Sequence, residues 1–155
     1  MTLKSFFICL LGTVLCSCGD TLEKNDLIGI WKSDNGAELI IKDDGTYTAK
    51  QISAYCILED EDFINKKINF YGKWKIGETG NQKKETLELL TNLTFKDFGI
   101  NRTFVDRDGV RKSDKIHSKF LITGSGILEN KKPFIMYINV GDPDEMNKFE
   151  LKKIN

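Results

Sequence analysis

The chain has 155 residues, with 23 basic and 23 acidic side chains and therefore a formal net charge of zero at pH 7. This length suits a single domain once a targeting segment is set aside, and no shift in composition marks a second domain. The balanced charge argues against a nucleic-acid partner, because phosphates call for a basic face.

The N-terminal segment has the three-part layout of an export signal. Lys4 supplies one positive charge, an apolar run follows as far as Leu15, and the small residue Ser17 comes next. This run is far shorter than the ~20 apolar residues that a membrane-spanning helix needs, and no later segment comes close. The sequence therefore predicts a signal peptide over residues 1–17 and no transmembrane helix in the mature protein.

The end of this segment, Leu15-Cys16-Ser17-Cys18, resembles the lipobox of bacterial lipoproteins, with an aliphatic residue three positions before the cysteine and a small residue directly before it. The resemblance implies that the Cys18 thiolate takes up a diacylglycerol group and that a signal peptidase cuts before Cys18. It also implies acylation of the new amino group. We therefore expect lipidation at Cys18, with residues 18–26 forming a polar tether at the membrane.

Sorting between bacterial membranes depends on the residue that follows the lipidated cysteine. In the enterobacterial scheme, an aspartate directly after that cysteine retains the lipoprotein at the inner membrane. Here Gly19 follows Cys18, and Asp20 comes one position later. We therefore expect an outer-membrane location in a bacterium that has an outer membrane.

An alternative is that Cys16 and Cys18 form a metal or redox pair. Besides Cys9 in the signal segment, the chain offers only Cys56 and His117 as further cysteine or histidine ligands, which is too few for a closed zinc site. Cys56 lies among apolar residues and is predicted to be a small buried hydrophobe. His117 is in phase with polar neighbours and should face solvent, so nucleophilic catalysis lacks a base. We expect no enzyme activity, no metal and no cofactor.

From residue 27 onward, the pattern is one of strands and turns. In the clearest run, at 68–76, the apolar residues Ile68, Phe70, Trp74 and Ile76 share one face, while polar residues occupy the other. A period of two is typical of a half-buried antiparallel strand. Similar runs occur at 38–42, 46–52, 86–93, 115–123, 134–140 and 148–152.

Turn residues separate these runs, and Asp44-Gly45 supplies the positive φ that a tight hairpin needs. About eight short strands predict an all-β barrel or sandwich over residues 27–155. The segment 58–67 has leading acids and trailing lysines, the order that a helix dipole favours, so it is predicted to be a short helix or an ordered loop. No other helix is expected.

The start of the predicted barrel, Gly29-Ile30-Trp31, resembles the Gly-x-Trp motif in the first strand of lipocalin-like, or calycin-type, barrels. The resemblance implies a small antiparallel up-and-down barrel, with Gly29 relieving crowding and Trp31 closing its narrow end. A weak echo of the motif occurs at Gly72-Lys-Trp74. Gly29, Trp31, Phe70 and Trp74 are therefore the candidates for closing the barrel or contacting a ligand.

Acidic residues form three short clusters, at 59–62, 106–108 and 142–145. The cluster at 106–108 lacks the twelve-residue spacing and closing glutamate of a helix–loop–helix calcium site. Solvated turns explain all three clusters better than a metal site does.

Two functions remain open at this point. The first is a non-enzymatic lipoprotein of the cell envelope that binds another protein as an inhibitor, an immunity protein or an assembly accessory. The alternative is a carrier that holds a small apolar ligand or lipid against Trp31, Phe70 and Trp74. A small barrel fills its interior with side chains and only sometimes leaves room for one ligand.

Overall fold

Eight antiparallel strands form a closed barrel in the computed structural model, which describes residues 21–79, 84–101, 114–124 and 132–154. Each strand pairs with its neighbour in sequence, and the last strand closes on the first. This confirms the predicted all-β up-and-down barrel and excludes the sandwich. The strands are β1 (Gly29–Lys32), β2 (Glu38–Ile41), β3 (Thr46–Ser53), β4 (Lys67–Thr79), β5 (Lys84–Thr94), β6 (Lys115–Thr123), β7 (Ile135–Asn139) and β8 (Lys148–Ile154).

Short helices join or precede some of the strands. Two α-helices of four residues each, α1 (Lys24–Leu27) and α2 (Tyr55–Leu58), are present in the described ranges, one more than the sequence predicted. A capping box between Glu23 and Asp26 accounts for α1. In the segment predicted at 58–67, Leu58 is the last residue of α2, and Glu61–Phe63 forms a single 3₁₀ turn.

The interior of the barrel is filled by alternate residues of the strands. In β6, for example, the buried side chains of Ile116 and Phe120 alternate with the exposed side chains of Lys115, His117 and Lys119. The exposure of His117 is as predicted. This alternation places the hydrophobic core inside the barrel and the charges outside it.

The two ends of the barrel are named here after the helices that lie across them. At the α1 end, Leu22 and Leu27 are buried in the core. At the α2 end, Cys56 and Ile57 are buried, and the Ser118 hydroxyl of β6 donates to the Cys56 carbonyl at 2.7 Å. Local segments therefore cover both ends.

The first buried side chain among the described residues is Leu22, inside the segment 18–26 that the sequence suggests as a tether. Four residue steps separate Leu22 from Cys18, which at ~3.4 Å per residue span at most about 14 Å. A lipid on Cys18 would consequently hold the barrel close to the bilayer. Cys18 itself lies outside the described residues.

Within the described ranges, none of the helices has the length and apolar character required to cross a membrane.

Candidate functional site

Trp31 lies at the α1 end and joins three parts of the chain. Its side chain is fully buried (0 % exposed), and its Nε1 donates to the carbonyl of Leu27 in α1 at 2.8 Å. Lys153 of β8 places its Nζ 6.0 Å from the centre of a Trp31 ring and donates to the Asp26 carbonyl at 2.8 Å. The tryptophan and the lysine together bind α1 to the first and last strands.

Gly29 makes room for this arrangement. Its φ of 135° is one that residues with a side chain rarely adopt, and a Cβ there would lie 3.0 Å from Cε of Lys153. Glycine suits the position for both reasons.

Asp26 forms a second set of contacts that hold α1 against the barrel. Its carboxylate accepts from the Glu23 backbone N–H at 2.9 Å and pairs with Nζ of Lys132 at 2.7 Å. Burial raises the pKa of Asp26, but the hydrogen bonds from Lys132 and Glu23 outweigh it, so the pKa lies below its usual value. The carboxylate therefore stays ionised at neutral pH and connects α1 to the β6–β7 connection.

Phe70 and Trp74 of β4 both face the interior. Phe70 packs edge-to-face against Tyr47, with ring centres 6.0 Å apart and planes at 79°. Trp74 lies near the α1 end, is 9 % exposed, and donates from Nε1 to the Lys42 carbonyl at 2.9 Å. Both tryptophans are thus held by backbone carbonyls at the same end of the barrel.

Three clefts in the described part of the chain open to solvent. One of about 330 Å³ lies on the outside of β4, β5 and β6, between Lys73, Glu88 and His117. A second, of about 250 Å³, borders Trp74 and Ile76, and a third, of about 260 Å³, lies at the α2 end.

Two hydroxyl groups are buried without a hydrogen-bond partner among the described residues, those of Tyr47 and Thr86. By contrast, the hydroxyl of Tyr55 in α2 accepts from the Gly141 backbone N–H at 2.9 Å. A buried polar group without a partner costs about 1–3 kcal/mol, so Tyr47 lowers the stability of an otherwise apolar core.

Replacing Tyr47 with phenylalanine is therefore expected to raise the free energy of unfolding by up to about 1 kcal/mol. The matched change, Tyr55→Phe, should lower it by about 1 kcal/mol, because the Gly141 N–H then loses its acceptor. Urea unfolding followed by circular dichroism measures both variants. A loss of stability in Tyr47→Phe equal to that in Tyr55→Phe would show that the Tyr47 hydroxyl has a partner.

Cys56 is a free and buried cysteine. Burial raises the pKa of its thiol to about 12, so the reactive thiolate is scarce at neutral pH. This agrees with the prediction of a small buried hydrophobe.

No group of three metal-ligating side chains comes together within the described ranges. The acidic cluster at 106–108 lies outside those ranges. The clusters at 59–62 and 142–145 both lie in connections at the α2 end, where Asp60 and Asp142 accept from backbone N–H groups two residues later.

The outer face of the barrel carries a largely apolar row that the sequence reasoning missed. The row is defined by Ile154, Ile30, Ile40, Thr48 and Tyr71, which are successive neighbours across β8, β1, β2, β3 and β4, and is called here the outer strip. Tyr71 is 62 % exposed, Ile154 47 % and Ile30 42 %. The sequence does contain a signal for this row, because isoleucines occur at positions of β1 and β2 where the alternation calls for outward-facing polar residues. Only the strand register shows that these isoleucines are neighbours in one row.

Charged side chains flank the outer strip on both sides. A residue two positions before or after a member of the strip points to the same outer face of the barrel. Five of these flanking positions are lysines, and one is a glutamate. Glu38 lies between Lys32 and Lys50, at 3.4 and 3.0 Å from their Nζ atoms. The other three flanking lysines are Lys42, Lys73 and Lys152.

The closed eight-stranded barrel, with a buried tryptophan in its first strand, is consistent with a lipocalin-like architecture. No family model, curated protein or solved structure matches the chain.

Proposed function

We propose that this protein is a non-enzymatic lipoprotein of the cell envelope, anchored through Cys18, that binds another protein with its outer surface. The observation that carries the proposal is the closure of both barrel ends, by Leu27 and Trp31 at one and by Cys56 and Ile57 at the other. Because covered ends restrict access to the interior, we expect a partner to bind the outer surface of the barrel.

The anchor follows from the lipobox resemblance of residues 15–18 and from the short link between Cys18 and the packed chain. With Gly19 rather than aspartate after the cysteine, the outer membrane is the proposed location. An inhibitor, an immunity protein or an assembly accessory would each act from such a position.

The anchor is tested by Cys18→Ala in the full chain. We expect an unprocessed precursor without lipid label, because alanine has no thiol to accept the diacylglycerol group. Cys16→Ala is the matched control and should be processed and labelled normally, since Cys16 leaves with the signal. The readouts are metabolic labelling with palmitate and the mobility of the protein on a gel. Normal labelling of Cys18→Ala would refute the anchor.

Protein binding is tested by recovery from envelope extract with the lipidated chain as bait. An unrelated lipoprotein with the same lipid anchor serves as the control bait. A partner that is enriched on this chain alone, and that binds again when both proteins are purified, is the expected result. Recovery of the same proteins on both baits would count against the proposal.

A second candidate is a carrier of a small apolar ligand, favoured by the unpartnered Tyr47 hydroxyl beside Phe70 in the interior. A ligand with one polar group could satisfy that hydroxyl. Native mass spectrometry of the protein extracted under mild conditions decides the matter. A mass equal to that of the lipidated chain alone would exclude the carrier.

A further inference from the structure

The chain enters the barrel next to the outer strip. Lys24, the first residue of α1, bonds from Nζ to the Asp43 carboxylate at 2.6 Å and to the Asp43 carbonyl at 2.7 Å. Asp43 belongs to the turn between β2 and β3, the strands that carry the middle of the strip. With only four residue steps from Cys18, Leu22 of an anchored barrel would lie within about 14 Å of the lipid attachment, so the bilayer would be near the α1 end.

The charges around the strip are unevenly distributed. Lys42 and Lys73 lie on the side nearer the α1 end, and neither forms an ion pair with a described residue. On the other side, Lys32 and Lys50 share the single carboxylate of Glu38, and Nζ of Lys152 lies 3.8 Å from the Asp34 carboxylate. The strip is therefore an apolar row with a surplus of positive charge along both edges.

Apart from Asp34 and Glu38, most acidic residues of the described ranges lie away from the strip. Asp43 and Asp44 are the exceptions, since they lie in the β2–β3 turn next to Lys42; Lys24 neutralises Asp43, and hydrogen bonds from Thr46 together with the charge of Lys42 lower the pKa of Asp44. The clusters at 59–62 and 142–145 are at the α2 end, opposite the point where the chain enters. Among the described residues, the charge of the barrel is therefore asymmetric, with an excess of lysines beside the strip and an excess of acids at the α2 end.

From these observations we infer that the outer strip is the face with which the anchored barrel lies on a bilayer of anionic lipids. The isoleucines and Tyr71 contact the headgroup and acyl boundary, where apolar and aromatic side chains are favoured, and the lysines contact lipid phosphates. The acidic α2 end then lies outside the contact with the membrane. This inference rests on the proposed anchor at Cys18, but it does not depend on a protein partner.

A fluorescent label at position 71 tests the orientation. The lipidated full chain carries Cys56→Ala and Tyr71→Cys, so that the new thiol alone takes a polarity-sensitive dye, and is reconstituted in vesicles of phosphatidylethanolamine and phosphatidylglycerol. Spin-labelled lipid should quench the dye at 71 strongly. His117→Cys, on the opposite wall, and Met146→Cys, at the α2 end, are the matched labels and should remain in water.

The role of charge is tested with Lys42→Gln/Lys73→Gln. A lysine near an anionic surface changes the equilibrium between the membrane-bound and the membrane-free strip by about five-fold. Quenching at 71 should therefore fall several-fold in this variant. It should also fall in vesicles of phosphatidylcholine alone. Lys66→Gln/Lys96→Gln removes the same charge from residues near the α2 end and should leave quenching at 71 unchanged.

Three results would overturn the inference: equal quenching at 71, 117 and 146, a water-exposed dye at 71, or quenching at 71 that is unchanged both by Lys42→Gln/Lys73→Gln and in vesicles of phosphatidylcholine alone. Shielding of the dye at 71 only when envelope proteins are added would instead make the strip a protein interface. Loss of the anchor is detected separately, because a chain without lipid does not stay with the vesicles in any variant.

Discussion

Replacing Trp31 with alanine is expected to lower the free energy of unfolding by about 4 kcal/mol. The side chain is fully buried, so its removal leaves a large cavity at the α1 end. The change also removes the bond from Nε1 to the Leu27 carbonyl and the ring beneath Lys153. Chemical unfolding in urea, followed by far-ultraviolet circular dichroism, measures the loss.

Two companion variants separate the contributions. Trp31→Phe keeps most of the apolar volume but loses the donor to Leu27, so we expect a loss of about 1–2 kcal/mol. Because α1 is held by this donor, cleavage by trypsin after Lys24 should become faster in both Trp31 variants. A loss below about 1 kcal/mol in Trp31→Ala would contradict a closing role for the tryptophan.

Gly72→Ala is expected to destabilise the barrel by about 3 kcal/mol or more. A Cβ on Gly72 would lie 1.9 Å from the Leu90 carbonyl oxygen and 3.0 Å from the Leu90 carbonyl carbon. These are backbone atoms of the neighbouring strand, paired through Gly72 and Thr91, so they can move only if β4 and β5 separate. Urea unfolding measures the effect.

Gly77→Ala, in the same strand, is the matched control. There the new Cβ would lie 2.6 Å from Oε1 and 2.9 Å from Cγ of Glu88, which are atoms of a flexible side chain and not of the backbone, so the side chain can turn aside. The cost is a weakened surface pairing of Glu88 with Lys75 and Lys119, which is worth less than about 1 kcal/mol. Equal losses in the two variants would show that the close approach at Gly72 is absent.

The alternation of apolar and polar residues was sufficient to predict the strands. The run at 68–76 lies within β4, and the runs at 46–52 and 115–123 match β3 and β6 closely. Alternation is readable because each strand has one face in the core. Strand ends were less accurate, and β4 extends to Thr79, because pairing with β5 rather than apolar content sets its length.

The two Gly-x-Trp motifs show where sequence similarity stops being informative. Both tryptophans are buried and donate to a backbone carbonyl. The glycines differ, since Gly29 has a positive φ beside a lysine stem, whereas Gly72 is required by the backbone of the next strand. These constraints come from neighbours far away in the chain.

By itself, the sequence determined the all-β class, the number of strands, the inward faces and the apolar character of Cys56, because each depends on local periodicity and composition. The lipid anchor at Cys18 stays a prediction from its motif. Only the tertiary structure decided that α1 and α2 cover the barrel ends, that Lys153 lies over Trp31, and that separated isoleucines and Tyr71 form one outer strip. Those features arise from strand register and chain closure, which bring together residues more than a hundred positions apart.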